Sequence, residues 1–190
     1  MRKIKLQVQL SVDGFVAGPQ GEMDWMQWNW DDQLKKNVNE LTDSIDTILL
    51  GRKMAIGFIS HWSNVMANPN DPDYPFARRM VDTPKVVFSK TLNKSEWQNT
   101  VIANGNLFDE IQKLKAQPGK DIIVYGGSGF VASLIEKNLI DEYHLYINPA
   151  IIGKGMTIFA DVGYIMNLKM VGSKAFDCGI VENIYVPNRD

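Results

Sequence analysis

The chain has 190 residues, 45% of them hydrophobic and 22% charged, with a net charge of −2. That length supports a sizeable core, while the charge pattern lacks the basic block of a nucleic-acid surface and no apolar run approaches a membrane-spanning length. The one cysteine, Cys178, excludes an intramolecular disulfide and, with only two histidines, a Cys-rich zinc site; it points to a reducing, cytoplasmic compartment.

After Met1-Arg2-Lys3, the residues Ile4, Leu6, Val8, Leu10 and Val12 alternate with Lys5, Gln7, Gln9 and Ser11. This predicts a strand with one buried face, not the apolar core of a signal peptide. Asp13-Gly14 begins a loop that carries Gly18-Pro19 and Gly21. Leu34, Val38 and Leu41 are spaced as a helix face within residues 31–41, with Asp31 or Asp32 as its cap. Residues 47–50 read as a short buried strand ending at Gly51, and a helix starts over 52–59. Residues 64–75, rich in Asn, Asp and Pro, read as a loop. Strands follow at 85–88 and 100–103, and a helix at 107–115. The run Ile122-Ile123-Val124-Tyr125 ends in Gly126-Gly127-Ser128-Gly129, and the amphipathic stretch 130–137 follows at once. Strands are then expected at 142–148, 157–159, 168–174 and 180–186. Strands and helices in alternation, then mainly strands, predict an α/β fold in a single domain over residues 1–190. Its central sheet is mostly parallel, with antiparallel C-terminal strands and helices on both faces.

In such a sheet, ligands lie beyond the carboxyl ends of the strands. Four segments fall there: Asp13-Gly14, Gly51-Arg52-Lys53, Ser89-Lys90-Thr91 and Gly126-Gly127-Ser128-Gly129. The glycine turn at a strand-to-helix junction suits a phosphate, because unpaired N–H groups and the helix dipole favour an anion. Arg52 and Lys53 place two cations at a helix start, where the dipole disfavours them and an anionic ligand would offset the cost. Ser89, Lys90 and Thr91 offer hydroxyls and an ammonium suited to a phosphate monoester. Each segment alone also reads as an ordinary polar turn. Together they offer one site for a pyrophosphate and a second for a terminal phosphate.

With these motifs the chain resembles the dihydrofolate reductase-like superfamily, and most closely the stand-alone members of the riboflavin-biosynthesis reductase family, the RibD C-terminal domain. The matching segments are residues 10–17, Leu50-Gly51-Arg52-Lys53-Met54, Ser89-Lys90-Thr91-Leu92 and Val124-Tyr125-Gly126-Gly127-Ser128-Gly129, with residues 141–145 and 149–155 behind them. The resemblance implies an NADPH-dependent oxidoreductase. Gly51, Arg52 and Lys53 would lie at the adenosine end, with Arg52 and Lys53 toward its 2′-phosphate and Ser89 and Lys90 helping to hold it. Gly126, Gly127, Ser128 and Gly129 would receive the pyrophosphate, and Val12 and Ala17 would border the nicotinamide. The implied substrate is a small nitrogen heterocycle, like 5-amino-6-(5-phosphoribosylamino)uracil or a pterin, and the implied assembly is a homodimer. The ligand set of the zinc deaminase domain that often accompanies this reductase is missing. The Pro-Trp loop usual in folate reductases is replaced by Gly21-Glu22-Met23-Asp24-Trp25. Dihydrofolate reduction and a non-catalytic nucleotide-binding sensor are the alternative readings.

The candidate acids are Asp13 and Asp32. Asp13 would either supply a proton through water, anchor a substrate amino group, or simply form an Asp-Gly turn; Asp31 and Asp32 are acids or helix caps. Trp25, Trp28, Trp30 and Trp62 concentrate aromatic surface, with Trp25 and Trp62 taken as the substrate-stacking pair and core or dimer packing as the other use. His61 is a proton shuttle or a loop residue; His144 reads as structural.

Overall fold

The computed structural model describes residues 1–188; residues 189 and 190, the end of the expected domain, lie outside them. Eight strands form one sheet: β1 (Ile4–Leu10), β2 (Ile45–Gly51), β3 (Lys85–Phe88), β4 (Thr100–Ala103), β5 (Asp121–Gly126), β6 (Glu142–Ile147), β7 (Leu168–Ala175) and β8 (Val181–Pro187). Five helices connect them: α1 (Asp32–Asp43), α2 (Arg52–Met66), α3 (Tyr74–Asp82), α4 (Leu107–Ala116) and α5 (Ser128–Glu136). The spatial order is β4-β3-β2-β5-β1-β6-β8-β7. All pairs from β4 to β6 are parallel, and β8 adds antiparallel to both β6 and β7. The expected mostly parallel sheet with antiparallel C-terminal strands is thus the observed one.

Its two faces are covered differently. On one face, Ile111 of α4 and Val131, Leu134 and Ile135 of α5 pack against Ile4, Leu6, Leu49, Ile122 and Val124. On the other, α2 and α3 bury Ala55, Phe58 and Met80 against Ile48, Leu50, Val87 and Ile123, and α1 buries Leu34 and Val38 against Tyr146, Phe176 and Ile180. The polar positions of β1 do not face water as the alternation suggested. Lys5 is buried and pairs with Asp121 at 3.1 Å, and Gln9 accepts a hydrogen bond from Asn148 Nδ2 at 3.1 Å. This polar layer continues through Glu142, His144 and Glu182.

Three expectations are corrected. Residues 157–159 form no strand; their segment touches the sheet system only through an isolated antiparallel bridge between Ala17 and Met156. The helix begun at Arg52 continues to Met66, past the expected end at residue 59. The supposed loop at 64–75 leads straight into α3, whose Pro75 sits in the first helical turn, where its missing N–H costs nothing.

Candidate functional site

The carboxyl ends of β3, β2, β5 and β1 lie side by side in that order. They carry, respectively, Ser89-Lys90, Gly51-Arg52-Lys53, Gly126 to Gly129 and Val12 to Ala17. At a strand spacing of about 4.8 Å, these segments span about 15 Å of one edge. Segments scattered from residue 12 to residue 129 therefore become a single row.

At the centre of the row two helices start almost in contact. Gly51 is the N-cap of α2 and Gly127 the N-cap of α5, and neither start has a side-chain cap or an acidic residue in its first turn. In contrast, Asp31 Oδ1 accepts from the Leu34 N–H at 2.8 Å at the start of α1, and Asn106 caps α4. The free N–H groups and positive dipole ends of α2 and α5 converge where an anion would satisfy them. The approach depends on glycine. A Cβ on Gly127 would come within 3.3 Å of Gly51 Cα, and one on Gly51 within 2.8 Å of Phe130 Cβ. Gly126 and Gly127 also have φ values of 146° and 90°, which side chains disfavour. Beneath the turn, Phe130 stacks on Phe88 at 4.8 Å and fixes α5 against β3. A Cβ at Gly129 would meet nothing within 4 Å, so that side of the turn is open. An uncapped double helix start with an open glycine flank fits a pyrophosphate.

Arg52 and Lys53 are exposed and form no ion pair with the described residues. Lys90 is exposed as well. Ser89 is buried, and its Oγ accepts from the N–H groups of Thr91 at 3.1 Å and Leu92 at 3.0 Å. Its oxygen thus shapes the turn that presents Lys90.

At the β1 end of the row, two loops are strapped together. Val12 N–H donates to Ala150 at 2.8 Å, Val16 N–H to Met156 and Met156 N–H to Ala17. Asp13 completes the strap: its carboxylate accepts from the N–H groups of Ile152 at 3.2 Å and Gly153 at 2.7 Å. The Ser11 hydroxyl and these backbone donors hold Asp13 below the ordinary carboxylate range. An acid held ionised is poorly suited to donate a proton. Ser128 Oγ reaches Met156 Sδ at 3.9 Å, which joins the glycine turn to the strap.

The remaining candidates divide. Asp32 is the exposed first residue of α1. Asp31 is the true cap and also binds the Cys178 N–H at 3.0 Å; its hydrogen bonds to Leu34 and Cys178 lower its pKa. Trp25 lies in the loop after β1, its Nε1–H donating to Glu22 at 3.2 Å. Trp62 does not join it. It sits ten residues into α2, about 15 Å along the axis from the row, packed at 5.1 Å against Phe76 and at 6.3 Å against Phe58. The stacking pair Trp25–Trp62 is therefore not assembled. Two residues of the site region escaped the sequence reading. Asn148, fully buried, anchors the long loop by accepting from the Gln27 N–H at 2.8 Å, and Met156 closes the strap. Only the position of Asn148 directly after β6 hinted at this. Among the described residues, no cluster of His, Cys, Asp and Glu could hold a metal ion, and no helix is long and apolar enough to cross a membrane.

The RibD C-terminal domain family matches residues 2–182 of the chain. A Bacillus subtilis (strain 168) protein, YyaP, itself uncharacterized, is 36% identical over 186 residues, which is 97% of this chain and 94% of that protein. Among solved structures, a Shewanella sp. PV-4 protein named for riboflavin biosynthesis superposes with a TM-score of 0.76 at 21% identity, over all of both chains. The Thermotoga maritima deaminase/5-amino-6-(5-phosphoribosylamino)uracil reductase gives 0.67 at 16% identity, over 98% of this chain and 56% of that longer one. Dihydrofolate reductase from Enterococcus faecalis, complexed with NADP(H), gives 0.63 at 14% identity, over 98% and 96%. At these identities the structures speak for the fold alone, and that fold is dihydrofolate reductase-like.

Proposed function

Because the chain belongs to the RibD C-terminal domain family, we propose that it is an NADPH-dependent reductase of a small nitrogen heterocycle, either pterin-like or of the 5-amino-6-(5-phosphoribosylamino)uracil type. The observation that carries this reading is the row of strand ends, with two uncapped helix starts meeting at Gly51 and Gly127. Its length suits an extended dinucleotide. Gly126, Gly127, Ser128 and Gly129 hold the pyrophosphate, Arg52 and Lys53 bind the 2′-phosphate with Ser89 and Lys90 beside them, and Val12 and Ala17 border the nicotinamide. NADPH, when bound, supplies a hydride for a C=N or C=O group.

The chain's own residues position the reactants. We assign Asp13 the bracing of the two loops around the nicotinamide end. Asp32 is the remaining candidate acid for polar substrate contact, and Trp25 is the stacking candidate on the substrate side. Residues 1–190 act as one cytoplasmic reductase domain that recognises neither nucleic acid nor membrane, and it works as a homodimer.

The test is titration of the purified protein with NADPH and NADH, followed by hydride transfer to pterin and pyrimidine substrates. Charge-assisted hydrogen bonds contribute about 1.5–3 kcal/mol each. NADPH should therefore bind at least about tenfold more tightly than NADH, and Arg52→Ala should remove most of that preference. Equal or absent affinity for the two dinucleotides overturns the reading. Preferred NADPH binding without turnover of any heterocycle would leave a nucleotide sensor, and rapid dihydrofolate turnover a folate reductase.

A further inference from the structure

Trp62, which the row of strand ends leaves out, lines a separate cavity of about 360 Å³ at the opposite edge of the sheet. Phe58, Trp62 and Met66 of α2 form one wall, Met80 of α3 another, and Trp97 of the β3–β4 connection a third. Lys85, the first residue of β3, also lines it. The size falls within the range of small-molecule sites, and the walls are apolar and aromatic with few polar groups, as such sites require. Trp62 is a fixed wall: Phe58, His61 and Phe76 all pack edge-on against its ring.

Lys85 is the unusual member. It is 3% exposed. Among the described residues three other cations are buried, and each faces a carboxylate: Arg2 meets Asp46, Lys5 meets Asp121 at 3.1 Å, and Lys115 meets Asp141 at 2.6 Å. Lys85 has no such partner among the described residues. Its Nζ donates only to the carbonyls of Val81 at 2.8 Å and Thr83 at 2.7 Å, which end α3. Two of its three donors are thereby used, and the charge has no counter-ion. Asp82 is near enough to favour the charge, but burial dominates and draws Lys85 down to about 8. Glu96 also borders the cavity, but it is exposed, and so water and salt screen it. His61 is exposed on α2 behind Trp62.

We propose that this cavity is a second ligand site, taking a small planar aromatic carboxylate whose ring lies between the tryptophan walls and whose charge meets Lys85 Nζ. One remaining donor on one cation matches a single negative charge; a phosphate dianion would find too few partners. The inference does not rest on the reductase reading. The site lies at the start of β3, while the proposed cofactor row lies beyond the strand ends.

The probe is naphthalene-2-carboxylate, followed by tryptophan fluorescence and calorimetry at pH 7, with naphthalene-2-carboxamide as its uncharged counterpart. The carboxylate should bind saturably at one site per chain, at least tenfold more tightly than the carboxamide, and equally well with NADPH present. Lys85→Met should bring the carboxylate to the level of the carboxamide. If that variant does not fold, the wild type still decides. Carboxylate affinity should fall between pH 7 and pH 9.5 as Lys85 loses its proton, while carboxamide binding stays constant. The proposal is overturned by an absence of saturable binding, by equal affinity for acid and amide, by a flat pH profile for the carboxylate, or by competition with NADPH.

Discussion

Gly127 shows how much one residue can carry. It caps a helix, holds a φ of 90°, and lets the backbone of Gly51 approach to a distance that a Cβ would close to 3.3 Å. Gly127→Ala should lower stability by about 1–3 kcal/mol through backbone strain and crowding. It should also weaken NADPH binding by more than that loss explains, because the two helix starts must separate. Urea unfolding together with NADPH titration checks both; unchanged affinity would detach the turn from the cofactor. This glycine was legible in the sequence, since only a tight turn explains Gly126-Gly127-Ser128-Gly129 between an apolar run and an amphipathic one. Asp13 was legible in place but not in use. The backbone donors that hold it belong to Ile152 and Gly153, distant in sequence, and nothing local announces them. Trp62 misled for the converse reason: grouping it with Trp25, Trp28 and Trp30 as aromatic surface says nothing of which end of α2 it occupies.

Among the elements, β7 stands out. It is an edge strand of eight residues, nearly all exposed, in which Leu168, Met170 and Val171 stand beside Lys169 and Lys174. Met170 pairs with Tyr185 and Gly172 with Ile184, which leaves Val171 as the extra residue of a bulge. Nearby, Ile165 is 89% exposed. An edge strand of this length that exposes Leu168, Met170 and Val171 offers a face for another chain. The mass in solution should be twice 21.5 kDa, and Val171→Lys should yield a folded monomer; a monomeric wild type rejects the homodimer. Apart from the strand expected at 157–159, the strands were readable because short apolar runs bounded by Gly, Asn and Pro leave little choice of period. α3 was not. Its nine residues follow an Asn/Asp/Pro-rich stretch, and it is held by Met80 packed with Ala55 and Phe58 of α2 and Val87 of β3, with Ala77 and Val81 also buried, which sequence spacing alone does not reveal.

For the molecule as a whole, the layer between α1 and the sheet couples stability to pH. His144 Nδ1 lies 2.9 Å from Glu182 and its Nε2 2.7 Å from Glu142. Burial alone would lower the pKa of His144, but the two carboxylates outweigh it and raise it overall. The hydrogen bond to His144 leads the causes that bring Glu142 down to about 2. Burial opposes the ionisation of Glu182, yet His144, Tyr146 and Asn37 together lower its pKa too. The carboxylates thus stabilise the fold above their unfolded pKa of about 4.5, and that contribution disappears as pH falls toward 2. The histidine stabilises it below about 6.5 and ceases to do so as pH rises through its raised value. Stability should peak near pH 5.5. The acid loss assigned to Glu142 is on the order of 3 kcal/mol. Denaturant unfolding at pH 3, 5.5 and 7.5 measures it, and His144→Leu should flatten both slopes; unaltered slopes would remove the layer from the account. The placement of β1 has a further consequence, for synthesis. Ile4 pairs with Ile122 and Leu10 with Ile147, so the first strand emerges with neither neighbour yet made. At about 5–20 residues per second, it waits on the order of 10 s for a partner. During that interval a strand with one apolar face and both edges open must be kept from other chains, and the sheet cannot close around it until translation has passed Ile147.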